Sequence, residues 1–86
     1  MAANVEIDFI RVGIQTGTTM LALARTERQL REWEAATKAI ANARTALFGA
    51  KRFLSRLKNV GTGTMRELAR GISELEGSIS GYDDGR

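Results

Sequence analysis

A run of apolar side chains that recurs every three or four residues is the strongest constraint on how this chain can fold. The eight members of the run are Trp33, Ala36, Ile40, Ala43, Leu47, Ala50, Leu54 and Leu57. This spacing places all of them on one face of an α-helix, and the alanines among them let a second helix backbone come close. The chain has no proline to break such a helix. The spacing therefore predicts helix 2 over residues 27–58, about 48 Å long at 1.5 Å per residue.

Two further stripes predict a helix on each side of helix 2. Helix 1 is predicted over residues 4–25 and helix 3 over residues 65–79. Their stripes are Ile10, Gly13, Ile14, Gly17, Met20, Leu21 and Ala24 in the first, and Met65, Leu68, Ile72, Leu75 and Ile79 in the second. With 86 residues the chain holds one domain at most. We therefore expect an all-α, three-helix antiparallel bundle over residues 1–79, with the long central helix 2 as its spine and residues 80–86 as a flexible tail.

The connections between the predicted helices are marked by threonines. Thr26 followed by Gln29 fits a capping box, which predicts a tight turn near Arg25. The alternative is one unbroken helix up to residue 58, because this stretch contains no glycine, asparagine or proline. Thr64 followed by Glu67 fits a second capping box, at the start of helix 3.

The stretch between helices 2 and 3, KNVGTGTMREL, holds two glycines and two threonines in alternation. A phosphate-binding loop needs the pattern G-x-x-x-x-G-K-[ST] after a strand, and a dinucleotide site needs G-x-G-x-x-G. Here no lysine follows Gly63, and a helix precedes the stretch rather than a strand. We therefore interpret it as a corner in which Asn59 or Gly61 takes the left-handed conformation that ends helix 2.

Composition argues against most enzyme chemistry. The chain contains no histidine and no cysteine, so the commonest general base, the commonest metal ligand and any thiolate are missing. Thr18 and Thr19 have no neighbouring base to activate them as nucleophiles. We expect no enzyme activity, no catalytic residue, no cofactor and no metal site.

Neither a leader sequence nor a membrane span is predicted. The start of the chain carries two acids and no basic segment. The apolar run over residues 9–24 has 16 residues, whereas a membrane helix needs about 20. These features predict a soluble, cytoplasmic protein with no membrane contact.

Gly13 and Gly17 are spaced as in the G-x-x-x-G motif, which lets two helices approach closely. In a soluble helix this motif more often marks a packing notch within the fold than a contact between two copies of the chain. Both interpretations stay open at this point.

Charge is concentrated in the central segment. Residues 25–58 carry a net charge of +6, against +3 for the whole chain. Arg44, Lys51 and Lys58 form one stripe of helix 2, with Arg52 and Arg56 beside it. A basic face of this kind is a candidate nucleic-acid footprint, although a charged helix face is more often simply solvated.

One part of the chain resembles a known architecture. Ala43, Leu47 and Ala50 are spaced as in the second helix of a tetratricopeptide (TPR) repeat, although the W-x2-L-G-x2-Y signature and a 34-residue repeat are missing. The broader pattern consists of Asp8-Phe9, Gly17, Leu21, Leu23-Ala24, Asn42-Ala43, Ala46 and Arg52-Phe53-Leu54. It is similar to small, uncharacterised all-helical bacterial proteins with a TPR-like hairpin. The resemblance covers about residues 5–57 and implies a fold, with no catalytic residue.

The predicted helix lengths suggest a function. Helices of about 33 Å and 23 Å cannot cover a spine of about 48 Å, so part of helix 2 is expected to stay open. That face is predicted to carry Phe48, Ala39, Ala46 and Phe53. We expect a protein–protein interaction or self-assembly module, a homo-oligomer or the binder of a protein partner, with Phe48, Arg44, Lys51, Arg52 and Arg56 at the contact. Phe48 would meet a second chain or, alternatively, helix 3. The alternative function is nucleic-acid binding through the basic face of helix 2.

Overall fold

Three α-helices make up the fold: α1 over Ala2–Gln29, α2 over Trp33–Arg56 and α3 over Thr62–Asp83. The computed structural model describes the backbone of residues 2–85 and the side chains of residues 5–85. No strand occurs within the described backbone. The predicted all-α class with three helices is confirmed.

Contacts between the helices show that consecutive helices run in opposite directions. Phe9, early in α1, lies against Phe53, near the end of α2, with the ring centroids 5.0 Å apart. Arg11 forms an ion pair of 3.5 Å with Glu67, near the start of α3. Helix α3 is therefore parallel to α1 and antiparallel to α2, and the bundle measures 46 × 20 × 14 Å.

The core forms where the three predicted stripes meet. The buried apolar residues are Ile10, Leu21 and Ala24 of α1, Ala36, Ala39, Ile40, Ala43 and Ala50 of α2, and Leu68, Ile72, Leu75 and Ile79 of α3. Partly buried Leu47 packs against both halves of this core. Trp33 is an exception: it was predicted on the seam of helix 2 but is 60% exposed. It is the first residue of α2, directly after the turn, and lies outside both halves of the core.

Helix α1, rather than α2, is the longest element. Its 28 residues span about 42 Å, whereas the 24 residues of α2 span about 36 Å and the 22 of α3 about 33 Å. Helix α1 also packs against both other helices. Helix α2 does the same, but it is shorter than predicted, so the length mismatch derived from a long helix 2 was wrong. Ala39, which was expected on an uncovered face, is buried.

The turn between α1 and α2 lies about five residues later than predicted. Arg31 has φ of 60°, the Glu32 amide donates to the Glu27 carbonyl at 2.8 Å, and the Arg31 amide donates to the Arg28 carbonyl at 3.1 Å. These two bonds form a Schellman motif, which normally has glycine at the left-handed position. Thr26 caps nothing, because its hydroxyl donates to the Ala22 carbonyl within α1. Arginine in a glycine position explains why the residue pattern did not reveal this turn.

The corner between α2 and α3 lies where it was predicted. Asn59 takes the left-handed conformation with φ of 58°. The predicted cap at Thr64 was wrong, since α3 already begins at Thr62 with Gly61 as its N-cap and no capping side chain. The Met65 amide donates to the Gly61 carbonyl at 3.0 Å, so the helical bonds start three residues before Thr64 would have capped them.

The segment predicted as a flexible tail continues α3. The helix runs on to Asp83, and Arg86 lies outside the described residues. Tyr82 packs against the core, its ring lies 5.0 Å below the Arg28 guanidinium, and its carbonyl accepts a hydrogen bond from Arg28 at 3.0 Å. Asp83 pairs with Arg44 of α2. Specific contacts with both other helices therefore hold a segment whose composition alone favoured disorder.

Gly13 and Gly17 form a packing notch within the fold. A Cβ atom on Gly13 would lie 3.5 Å from the Ala50 Cβ, and one on Gly17 would lie 2.5 Å from Cδ2 of Leu75. Of the two interpretations of this motif, packing inside the bundle is the one confirmed. Gly17 thus sets the distance from α1 to α3, whereas a methyl group at Gly13 would make an ordinary contact with α2.

The left-handed conformation of Arg31 generates a first prediction. The left-handed conformation costs a non-glycine residue about 1–2 kcal/mol of folding free energy, and glycine avoids this cost. Part of the advantage is offset because glycine makes the unfolded chain more flexible. We expect Arg31→Gly to raise the free energy of unfolding by about 0.5–1 kcal/mol, measured by urea denaturation. The same change at the exposed helical position Arg70 should lower it by about 1 kcal/mol. A destabilised Arg31→Gly variant would contradict the assigned turn.

The notch at Gly17 generates a second prediction. Gly77 lies on α3 with open space around it, so Gly77→Ala should raise the free energy of unfolding by about 1 kcal/mol through helix propensity. Gly17→Ala has the same propensity gain but must displace the buried Leu75 side chain, so it should be less stable than Gly77→Ala by about 1–3 kcal/mol. Equal stability of the two variants in thermal or urea denaturation would show that α1 and α3 are not in close contact at Gly17.

Candidate interaction surfaces

A second apolar stripe runs along α1 and is not covered by the bundle. Its members, which we call the outer stripe, are Val5, Phe9, Val12, Thr16, Thr19, Leu23, Thr26 and Leu30. Successive members lie four and three positions apart in strict alternation, which is the spacing of a coiled-coil seam. All eight are exposed, and the five large side chains are between 44% and 64% exposed.

The outer stripe is separate from the core face of the same helix. The core face carries the fully buried Ile10, Gly17 and Ala24, which recur every seven residues. Successive residues of an α-helix point about 100° apart, so a residue one step along the chain from the outer stripe points to a different side of α1. Helix α1 therefore has two apolar faces, and its two helical neighbours cover only one of them.

Helix α2 forms a wall beside the first half of the outer stripe. Between the two helices lies an open groove of about 260 Å³. Phe9, Val12 and Thr16 line it from α1. Thr45, Gly49 and Phe53 line it from α2. The tilted contact between Phe9 and Phe53 closes one end, so the groove is bounded by apolar and small side chains on both sides.

Phe48, the predicted anchor of a partner contact, lies elsewhere. It is 63% exposed, so the alternative that helix 3 packs against it is wrong. Its neighbours one turn away on α2 are Arg44, Thr45, Lys51 and Arg52, all of them exposed and polar. Phe48 is thus a single exposed aromatic side chain in a polar setting, which is common on protein surfaces.

The basic residues predicted as a nucleic-acid footprint divide into two groups. Arg44 pairs with Asp83, and Lys51 pairs with Glu76, so these two cations are directed at α3. Arg52, Arg56 and Lys58 are exposed, and none of them has an ion-pair partner among the described side chains. Of the four basic residues predicted at the contact, Arg44, Lys51 and Arg52 thus lie one turn from Phe48. Two of these three, Arg44 and Lys51, are already paired with carboxylates of α3.

The outer stripe was not among the predicted surfaces, although its spacing is present in the sequence. Three of its members are threonines, and one of these, Thr26, was interpreted as a helix cap. The strict alternation of four and three residues from Val5 to Leu30 was the available signal. It was hidden because the core stripe of the same helix was the stronger pattern.

Little else on the surface supports specific chemistry. No cluster of three acidic side chains suited to a metal ion occurs among the described residues. A shallow, open depression beside Trp33 is lined by Glu32, Glu34, Ala35 and Lys38. Within residues 2–85, none of the helices combines the length and the apolar character needed to cross a membrane.

The chain was compared with models of known protein families, with curated proteins and with solved structures. None of the three comparisons found a match. The resemblance to bacterial proteins with a TPR-like hairpin therefore stays a prediction.

Proposed function

We propose that this protein is a non-catalytic interaction or self-assembly module that binds an apolar helical partner along the outer stripe of α1. The observation that carries the proposal is the exposure of the whole stripe over the length of one helix. Coiled-coil spacing is the arrangement by which a helix receives a second helix side by side. The outer stripe replaces Phe48 as the centre of the proposed contact.

The apolar area involved is large for so small a protein. Complete burial of a Val, Leu or Phe side chain contributes roughly 1.5–3 kcal/mol, so covering the exposed parts of five such side chains contributes roughly 4–9 kcal/mol. Association itself costs on the order of 4–15 kcal/mol. A stable complex therefore needs a partner that also contributes apolar surface, as another amphipathic helix does.

Phe9 and Val12 are the residues that contribute most to binding in the proposed contact. Both are more than half exposed, and both line the groove between α1 and α2. Apolar side chains beside a groove are typical of contact positions that contribute most to binding. The Phe53 ring holds Phe9 in place, which lowers the entropy lost when a partner binds.

The alternative function is nucleic-acid binding, and it rests on the exposed Arg52, Arg56 and Lys58. It is weaker because Arg44 and Lys51 already have carboxylate partners on α3. The dependence of binding on salt concentration distinguishes the two functions. Phosphate binding falls steeply between 50 mM and 200 mM salt, whereas contact through apolar surface persists. Loss of a complex over that range would favour the alternative.

A site-specific photo-cross-linker tests the proposed surface in cells. With the probe at Val12, we expect one discrete cross-linked product, because a partner helix would lie within reach of that position. Phe9→Ser should reduce its yield by at least about tenfold, since loss of an anchor contact costs 1.4 kcal/mol or more. The yield is read on a denaturing gel against the uncross-linked chain.

The matched control carries the same probe at Phe48, which is about as exposed as Val12. We expect only a diffuse background there. A discrete product from the Phe48 probe, with none from Val12, would contradict the proposed surface and restore Phe48 as the anchor. Circular dichroism of the Phe9→Ser variant shows whether its helix content is unchanged.

A further inference from the structure

We infer that the occupant of the outer stripe is a second copy of this chain, with the two α1 helices antiparallel and their twofold axis between Thr16 and Thr19. This inference rests on the proposed function and names its partner. The stripe extends from Val5 to Leu30, about 38 Å along the helix axis. An α1 helix of a second copy has the length and the apolar face to cover all of it.

The residues of the stripe pair suitably in this arrangement. In the antiparallel register each member of the stripe faces a member from the other half of the second copy's stripe. The layers are Val5 with Leu30, Phe9 with Thr26, Val12 with Leu23, and Thr16 with Thr19. A large ring is thus placed against a small residue, and the two aliphatic layers lie on either side of it. A parallel pairing would instead stack each residue on its own copy, including Phe9 on Phe9.

The shape of the surface also suits a second copy. Its middle is lined by small side chains, with Thr16 and Thr19 on α1 and Thr45 and Gly49 on α2, so two backbones can approach closely there. The antiparallel register brings Leu23 of the second copy opposite Val12, at the mouth of the groove. Leu23, which is exposed in a single chain, would then fill the groove between α1 and α2 of the other copy.

Charges beside the stripe oppose the pairing on one flank only. On the flank away from α2, Asp8 would face Gln29 and Gln15 would face Ala22, so no like charges meet. On the other flank Glu6 would face Glu27. This is the one like-charge contact that the register places beside the stripe. The dipoles of antiparallel helices also favour this orientation.

The contact reaches the size of a specific interface. A strip about 38 Å long and about 10 Å wide covers roughly 400 Å² of projected area on each copy from α1 alone. The accessible surface is larger than this projection, and the α2 wall adds to it. The total therefore reaches the roughly 1,000 Å² expected of a biological interface.

Cysteine pairing tests the occupant and its direction, because the chain has no cysteine of its own. We expect a mixture of Val5→Cys and Leu30→Cys chains to form a disulfide-linked pair under mild oxidation. Each variant alone should give little, since the two copies of residue 5 would lie about 38 Å apart and a disulfide needs Cα atoms within about 7 Å. A mixture of Val5→Cys with Ser73→Cys, an exposed α3 position, is the control for random collisions.

Light scattering of the purified chain at several concentrations gives an independent measurement. We expect a dimer at high micromolar concentration, and at least about a tenfold weaker association for Leu23→Ser, with helix content unchanged. A monomer at every concentration would overturn the inference. So would efficient homodisulfide formation by Val5→Cys alone, which indicates a parallel pair.

The same experiments separate this inference from the proposed function. If the purified chain is monomeric but the Val12 probe still gives a discrete product in cells, the partner is a different protein. The inference then fails while the proposed function stands. If neither a dimer nor a discrete product forms, both fail.

Discussion

The close approach of α1 to its two neighbours is the contact on which the rest of the structure depends. Gly13 lies against Ala50 of α2, and Gly17 lies against Leu75 of α3, with no room for a further methyl group at Gly17. The bundle has twelve buried apolar residues among those described, and five of them come from α2. Four of these five are alanines, which these close approaches of α1 allow. A core of small side chains is thin, so helix α1 contacts both neighbours over a narrow face and keeps another side free.

That free side is the origin of the proposed function. In a three-helix bundle the two neighbours of a helix cannot cover all of its sides. Helix α1 therefore has a face without a neighbour. On a helix with no further role, such a face would carry charged residues. Instead it carries Val5, Phe9, Val12, Leu23 and Leu30 at the spacing of a helix–helix seam. Covering this face with another helix would complete the burial that the small monomer leaves unfinished.

The periodicity of the sequence predicted the helix faces that pack in the core. It did not predict the position of a turn that depends on the backbone conformation of a single residue. The stripes of all three helices were identified because burial imposes a three- and four-residue repeat on many residues at once. The first turn was misplaced because it depends on one left-handed residue, and Arg31 carries no glycine signal. The end of α3 was misjudged because Tyr82 and Asp83 are held by partners distant in sequence, Arg28 and Arg44. The error in the turn also made the predicted helix 2 too long, and the predicted length mismatch followed from it.

The most direct test of the outer stripe compares one substitution at two phenylalanines. Phe9 and Phe48 are 59% and 63% exposed, so Phe9→Ser and Phe48→Ser remove similar exposed rings from different faces. Sedimentation equilibrium at low and high salt measures the self-association of both variants and of the parent chain. The outer-stripe account predicts association that persists in high salt, is weakened at least about tenfold by Phe9→Ser and is unchanged by Phe48→Ser. Weakening by Phe48→Ser alone would contradict the outer stripe as the contact surface, and no association in the parent would contradict its occupation by a second copy.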